Sequence, residues 1–433
     1  MFASGPVILS AMFLIQAEAQ FEAGARIETR VGEMPTGTAQ GTSSSSTVQP
    51  ATVEQTQVMV VATPLLSLRW LDSIDDLRAN SATRILWRPV PLLDSRPLFL
   101  ENLEASGTRR PSKRSQWQFR IQGSYGEQDY TSLQQQFANQ PSLPLAATML
   151  VVNGTAGAAW RSSRRTTLTL QLGAVHSRSF DTQPGSTIPT IPTQTVVTAA
   201  PGLTHAIDRR LTMEAFATII DTDVRGAPLA NDQTPTLANG QTRNLNLLSI
   251  QPQVGIREER AHQHQLHLAV GIAYTVALQG DTNLTSYPVP LFQIDLNSVL
   301  QRTRTAVVRS SLGAGTTAFV DPVLGASVTR GIAQVGIDTQ LGPWSVGAFC
   351  AFTTDVFGRL PALAPGEGSP DETAVLSEIH VRYRSSRRLI AEFGGQYTER
   401  APRLGAPDFV WHNRELWLFL NLTASSLPSS TRS

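Results

Sequence analysis

The sequence of 433 residues predicts an all-β protein, specifically a transmembrane antiparallel up-and-down β-barrel. Three observations predict it: long segments that alternate apolar and polar residues, short basic connections that alternate with longer ones, and a composition poor in charge. Only 16% of the residues are charged and the mean hydropathy is −0.10, whereas soluble domains carry roughly 25% charged residues. Beyond the extreme N-terminus there is no run of about 20 apolar residues, which a helical membrane protein requires. The net charge of +1 disfavours nucleic-acid binding through bulk charge.

The first residues have the features of a secretory signal peptide, predicted over residues 1–19. Residues 6–15 form a short apolar stretch, and Ala17-Glu18-Ala19 fits a small-x-small cleavage site. Residues 20–57 are low in complexity and include a serine run, so we expect a disordered tail there. The barrel is predicted over residues 58–424, and residues 425–433 are predicted to be a short disordered C-terminal tail.

Period-two alternation is clearest in residues 264–279. Leu266, Val270 and every second residue between and beyond them are large and apolar, whereas His267, Ala269 and their equivalents are polar or small. At about 3.3 Å per residue such a segment spans about 50 Å, and strands of soluble proteins usually have only 3 to 10 residues. A strand of this length suits a tilted crossing of a bilayer.

Similar segments recur along the chain and give the predicted number of strands. Those at 77–88 and 97–107, with the later ones from 116–125 to 413–424, bring the prediction to about sixteen strands. Residues 58–70 could begin another pair, so eighteen is the alternative, because single-chain bacterial barrels have even strand numbers. In the last segment, leucines alternate with Trp417 and Phe419, so its sidedness stays open.

The connections between these segments alternate in length and composition. Short basic connections occur at 109–114, 161–165, 208–210, 258–263, 302–304 and 385–388. Longer stretches rich in Pro, Gly and Asn separate them, for example 127–146, 180–193 and 223–243. This arrangement is typical of outer-membrane barrels, which have periplasmic turns and longer extracellular loops. Barrels of sixteen to eighteen strands leave an aqueous channel unless they are plugged.

Candidate metal and thiol sites do not form a convincing pattern. His264 and His267 point to opposite faces of their predicted strand and His262 lies in a turn, so the three cannot converge on a metal. The single cysteine, Cys350, excludes an intrachain disulfide and is interpreted as a small wall residue. We predict no metal and no cofactor.

An enzymatic function is also not predicted. Glu127 and Asp129 lie at the base of a predicted extracellular loop, but no histidine accompanies them at a convincing spacing. The sequence contains neither a Gly-x-Ser-x-Gly elbow nor a His-Glu-x-x-His motif. An outer-membrane hydrolase would depend on those two carboxylates.

The polar faces of the predicted strands supply the candidate binding residues of the lumen. An excess of arginine in a pore favours anionic solutes and donates hydrogen bonds to carboxylates or sugar hydroxyls. The alternative is that these arginines form cross-barrel ion pairs that only stiffen the wall. The predicted lumen-lining residues are Arg78, Arg84, Arg88, Arg120, Gln122, Arg309, Glu378, Arg382 and Arg384.

Three segments resemble predicted outer-membrane barrels of myxobacteria, some of which are associated with exopolysaccharide export. They are residues 64–70 (PLLSLRW), 75–77 (DDL) and 124–131 (SYGEQDYT). The resemblance implies export of a surface polysaccharide, with a periplasmic polysaccharide export protein and a co-polymerase as partners. It implies no catalytic residue.

These observations together predict a channel in the cell outer membrane that exports a surface polysaccharide. The alternatives are a general diffusion porin for small solutes and a non-conducting structural or adhesive barrel. The expected partners are outer-membrane lipid and the polysaccharide substrate, and nucleic acid is not expected to bind.

Overall fold

In a computed structural model of the chain, the described residues form strands and the short turns between them. The structure describes residues 18–36, 53–71, 75–87, 97–129, 146–180, 193–228, 242–260, 263–279, 288–303, 305–321, 326–357, 372–386, 389–402 and 413–425. Within these ranges no helix is long and apolar enough to cross a membrane.

Eighteen strands form one antiparallel sheet in which each strand pairs with the next along the chain. The first strand also pairs with the last, so the sheet closes into a barrel. The strands are β1 (Glu18–Thr36), β2 (Val53–Leu71), β3 (Asp75–Trp87), β4 (Leu98–Ser112), β5 (Ser115–Asp129), β6 (Ala146–Arg161), β7 (Thr166–Ser179), β8 (Thr193–Ala206), β9 (Leu211–Pro228), β10 (Thr242–Arg260), β11 (His264–Gln279), β12 (Val289–Arg302), β13 (Ala306–Asp321), β14 (Ala326–Leu341), β15 (Trp344–Phe357), β16 (Glu372–Arg384), β17 (Leu389–Pro402) and β18 (Asn413–Ser425). The all-β barrel and the alternative of eighteen strands are confirmed, and the count of sixteen is wrong.

The first of the two additional strands, β1, lies almost entirely where the sequence predicts a tail, whereas β2 covers residues 58–70, the segment that the alternative of eighteen strands uses. β1 and the beginning of β2 fall within residues 20–57, so a disordered tail over that whole range is wrong. β1 forms because β18 and β2 offer backbone partners on its two sides. The strand also includes Glu18 and Ala19 of the predicted signal peptide, and residues 1–17, 37–52 and 426–433 lie outside the described residues.

The two ends of the barrel differ in the length of their connections. Short turns join β4 to β5, β6 to β7, β8 to β9 and β14 to β15, and the start of β1 and the end of β18 lie at this same end. We call it the short-turn end. The other end, where for example 16 residues separate Asp129 from Ala146, is the long-connection end.

The side chains of each strand divide between an apolar outer face and a mostly polar inner face. Val270 and Leu278 of β11 are 59% and 60% exposed on the outside, whereas Ala269 and Ala273 point inward and are buried. The strand of ambiguous sidedness is now assigned, since Leu418 of β18 is outside and Trp417 is buried inside. The outer face is therefore the lipid-contacting surface, and the inner face lines a lumen.

Large buried side chains concentrate in the half of the lumen near the long-connection end. Met59, Val61, Leu86 and Trp417 form an inward cluster that Leu98 packs against. A second cluster lies on β9 and β10 and consists of Val224 and Leu245. Towards the short-turn end the inward side chains are mostly polar and partly exposed. One half of the lumen is thus closely packed and the other accessible.

Candidate lumen site

The alternation of the strands places the predicted lumen residues on the inner wall. Arg78 and Arg84 lie on the inward face of β3, and the remaining described candidates share the inward positions of β5, β13 and β16. Arg88 lies outside the described residues. The inward candidates are Arg78, Arg84, Arg120, Gln122, Arg309, Glu378, Arg382 and Arg384. Their role in binding stays a prediction.

Glu104 of β4 occupies the centre of one polar group on the inner wall. Its carboxylate lies 2.9 Å from Arg120 Nε and accepts a hydrogen bond from Gln122 Nε2 at 3.1 Å. Sequence reasoning missed Glu104, although it alternates with the outward Leu103 in a segment already predicted as a strand. The charge of Arg120 is therefore balanced within the wall.

A second carboxylate, Asp76, compensates two arginines near the short-turn end. Arg69 donates from Nη2 to Asp76 Oδ2 at 2.8 Å, and Arg78 donates from Nη2 to the same oxygen at 3.2 Å. Asp76 belongs to residues 75–77, one of the segments that carry the resemblance, but the sequence does not predict it as a lumen residue. Because one carboxylate serves both guanidinium groups, Arg78 is less free to attract an anion than the sequence predicts.

Two further groups lie on the inner wall, one across neighbouring strands and one within β16. Arg382 Nη2 lies 3.0 Å from Glu392 Oε1, and Asn421 donates to the other oxygen of Glu392 at 3.4 Å. On β16, His380 Nδ1 lies 3.2 Å from Glu378 Oε1. Glu392 thus has Arg382 as its partner, and Glu378 has His380.

Glu214 links three strands in a mixed-charge group. Its carboxylate lies 3.2 Å from Arg257 Nη2 and 3.4 Å from His267 Nε2. On its other side, His267 Nδ1 lies 3.4 Å from Asp295 Oδ2. These distances place His267 inward, between carboxylates of β9 and β12, and His264 is not part of this group.

The inner wall therefore carries carboxylates beside most of its described arginines. The predicted arginine excess is not what the structure shows, because Asp76, Glu104, Asp295 and Asp355 also point inward. Alternation identifies the face of each residue, but only the pairing register brings the opposite charges into contact. Strong anion selectivity consequently does not follow from the wall as a whole.

Arg309 lines a niche in the accessible half of the lumen. The niche has a volume of about 530 Å³, and its lining includes Arg309, Asp338, Asn297, Phe349 and His380. Arg309 and Asp338 lie directly opposite each other in the β13–β14 pair. Among the residues that the structure describes, neither has an ion-pair partner. Their charged groups are thus available to a solute.

A glycine provides space in this niche. A Cβ atom at Gly347 would lie 2.5 Å from His380 Nε2, so the absence of a side chain allows the imidazole to lie across β15. The arrangement combines a guanidinium, a carboxylate, an imidazole and an amide around one cavity. Such groups form hydrogen bonds with polar solutes of many kinds and provide weak contacts rather than a single specific one.

A buried ion pair stabilises the wall nearer the long-connection end. Arg330 donates to both carboxylate oxygens of Asp355, at 2.7 and 2.6 Å, and its guanidinium lies 4.9 Å from the ring centre of Phe319. The two charged side chains are only 12% and 7% exposed. Sequence reasoning did not select these residues, although all three occupy inward positions of β13, β14 and β15.

Within the described part of the chain, no group of three or more His, Cys, Asp or Glu residues could hold a metal ion. Glu127 lies on β5 near the long-connection end, and the prediction that the protein is not an enzyme stays a prediction.

Comparison with solved structures identifies the fold. A substituted ferric enterobactin receptor of Pseudomonas aeruginosa matches with a TM-score of 0.50 and 8% identity, covering 95% of this chain and 82% of the receptor. OpdL of the same organism has a TM-score of 0.41 and 12% identity, with 95% and 99% of the two chains covered. The siderophore receptor PirA of Acinetobacter baumannii has a TM-score of 0.47 and 6% identity, with 94% and 81% covered.

No family model matches the sequence, and no curated protein matches it either. The likeness to the enterobactin receptor supports the fold alone, because the sequences are so different. Closure of the sheet, the apolar outer face and this likeness together show that the chain is an 18-stranded β-barrel of the bacterial outer membrane.

Proposed function

We propose that the protein is a passive diffusion channel for small polar solutes. The observation that carries this proposal is the polar, accessible half of the lumen, in which charged side chains form mutual ion pairs along the wall. A wall of paired charges remains hydrated without binding one ion tightly, as conduction requires. The closely packed half, with the Met59 and Trp417 cluster, would set the upper size limit.

The niche at Arg309 and Asp338 adds one place where a solute can pause. Because both charges lack an ion-pair partner among the described residues, the niche suits neutral polyols and small zwitterions better than highly charged polymers. The weak contacts would allow release as readily as entry, and transport would therefore follow the concentration gradient.

Export of a surface polysaccharide, which the resemblance implies, stays an untested prediction. The likeness to the enterobactin receptor supports the fold alone and does not bear on polysaccharide export. Since carboxylates accompany most lumen arginines, the wall offers little specific attraction for an anionic polymer. We therefore favour the diffusion channel.

Liposome swelling tests the proposal directly. The full chain, reconstituted in vesicles, should admit neutral sugars at rates that fall steeply with sugar size. Vesicles that do not swell with any sugar would contradict the channel and favour a non-conducting structural barrel. Block of single-channel current by an anionic oligosaccharide at low concentration would instead favour polysaccharide export.

A matched pair of variants distinguishes flow through the lumen from leakage around the protein. Ser311 points into the niche, and the adjacent Leu312 is 50% exposed on the lipid face. S311W should lower the single-channel conductance, because it adds bulk to the water path, whereas L312W should leave it unchanged. Equal effects of the two substitutions would show that the current does not pass through this lumen.

A further inference from the structure

One side of the short-turn end carries a dense positive charge. Three consecutive hairpin ends, at residues 109–114, 161–165 and 207–210, contain nine exposed basic residues and one carboxylate, that of Asp208. We call the nine residues the basic arc. They are Arg109, Arg110, Lys113, Arg114, Arg161, Arg164, Arg165, Arg209 and Arg210.

Backbone hydrogen bonds join these hairpin ends into one continuous surface. The N–H group of Arg161 donates to the carbonyl of Arg114 at 2.7 Å, which connects the first turn to the second. The N–H group of Ala206 donates to the carbonyl of Arg165 at 2.8 Å, which connects the second to the third. The nine basic residues therefore lie on one continuous protein surface rather than on three separate turns.

Little of this charge is neutralised by the protein itself. The Oδ1 atom of Asp208 accepts hydrogen bonds from the backbone N–H groups of Arg210 and Leu211, at 2.6 and 2.8 Å. Within the described ranges, only Arg109 of the arc forms an ion pair, with Asp75 at 3.6 Å. A surface of this kind attracts an external anion.

The basic arc lies directly beside the lipid-contacting face. Trp117 is opposite Arg109 in the β4–β5 pair, and Trp160 immediately precedes Arg161. These indoles are 60% and 54% exposed on the outside. Tryptophan favours the boundary between hydrocarbon and headgroups, so the neighbouring arginines are at the depth of lipid phosphates.

The charge is not uniform around this rim. The β14–β15 turn, on a distant part of the same rim, consists of Gly342 and Pro343 and carries no charge. Its boundary residues are also aromatic, since Trp344 packs against Tyr383 with ring centres 4.4 Å apart. Aromatic residues at the boundary are therefore common to the arc and to the β14–β15 turn, and the positive charge is the additional feature of the arc.

We propose that the basic arc binds the phosphate headgroups of anionic glycerophospholipids in the membrane leaflet at the short-turn end. Guanidinium groups bind phosphate oxygens through paired, charge-assisted hydrogen bonds. A lipid fits better than an acidic protein, because the arc borders lipid-facing indoles and Arg109 itself occupies an outward position. Binding of this kind on one side would orient the barrel relative to neighbouring membrane components.

The test uses the full chain in detergent with phosphatidylglycerol or zwitterionic phosphatidylcholine, and native mass spectrometry to count retained lipids. The variant R164Q/R209Q removes two arc charges that make no side-chain hydrogen bond among the described residues. The control R178Q/R225Q removes the same charge from outward positions near the long-connection end. Heat-dependent migration on a denaturing gel verifies that each variant is folded.

The wild type should retain phosphatidylglycerol in preference to phosphatidylcholine, and high salt should reduce the preference. R164Q/R209Q should lower the preference by roughly fivefold for each arginine removed, and the control should leave it close to that of the wild type. Equal losses in both variants, or a wild type without preference, would overturn the proposal. A preference unchanged in R164Q/R209Q would overturn it too and leave these turns as a surface for an acidic protein.

Discussion

Removal of one carboxylate from the buried Arg330–Asp355 pair should destabilise the barrel far more than the same change in an exposed pair. D355N leaves a guanidinium that is 12% exposed without its two short hydrogen bonds to this carboxylate. Loss of one partner from a buried pair costs about 3–5 kcal/mol. Because Arg330 keeps its contact with the ring of Phe319, we expect the lower limit, about 3 kcal/mol.

The matched comparison is E104Q, which changes a carboxylate to an amide in the Arg120–Glu104 pair. That pair is more accessible, with side chains that are 54% and 26% exposed. Water and salt screen it, so the expected cost is about 0–1 kcal/mol. Equilibrium unfolding in urea, followed by tryptophan fluorescence in detergent micelles, measures both free energies of unfolding.

A double substitution separates the loss of the pair from the continued burial of the arginine charge. R330M/D355L should recover most of the stability that D355N loses, because an apolar pair of similar volume replaces both buried charges of the pair. The reasoning would be refuted if D355N cost no more than E104Q. It would also be refuted if the double variant were as unstable as the single one.

Three other outcomes follow from the sidedness and the turns. Cys350 is exposed on the lipid face, so in vesicles it should react with a lipid-soluble maleimide and not with a charged methanethiosulfonate, and equal rates would contradict its placement. R309Q should shift the zero-current potential in a KCl gradient towards cation selectivity, whereas L312Q on the outer face should not. Backbone hydrogen bonds from Arg210 and Leu211 lower the pKa of Asp208 below 3.8. The turn should thus keep its carboxylate-dependent stabilisation above that pH and lose it as the pH falls through the lowered pKa, which NMR shifts of the Leu211 amide would report.

Most of the barrel follows from the sequence because the bilayer imposes a strict pattern. The predicted segment 264–279 has the same bounds as β11, and its apolar residues point outward as expected. An outward residue must tolerate hydrocarbon, so polar side chains are confined to alternate positions. The same rule places Arg120 and Arg309 inside without any knowledge of their neighbours.

Contacts between those inward residues depend on the register of neighbouring strands, which alternation does not provide. Arg120 lies opposite Ser106, and its carboxylate partner Glu104 lies opposite Gln122. A shift of two residues would keep every side chain on its face and still change the distance between Glu104 and Arg120. Alternation alone therefore places both Arg120 and Glu104 on the inner face, whereas the ion pair between them is a property of the register.

The missed strand β1 shows that closure stabilises a strand with only a weak apolar pattern. Its outward positions include Ala23, Ala25 and Thr29 beside Ile27 and Val31, so small and polar residues dilute the signal. A sheet edge in lipid would leave backbone N–H and C=O groups without partners, at a cost of several kcal/mol each. β1 supplies these partners to both β2 and β18. The stabilisation of β1 as a strand therefore comes from its pairing with the rest of the barrel rather than from its own apolar pattern. The rule that strand numbers are even is satisfied by both sixteen and eighteen strands, so it does not predict β1.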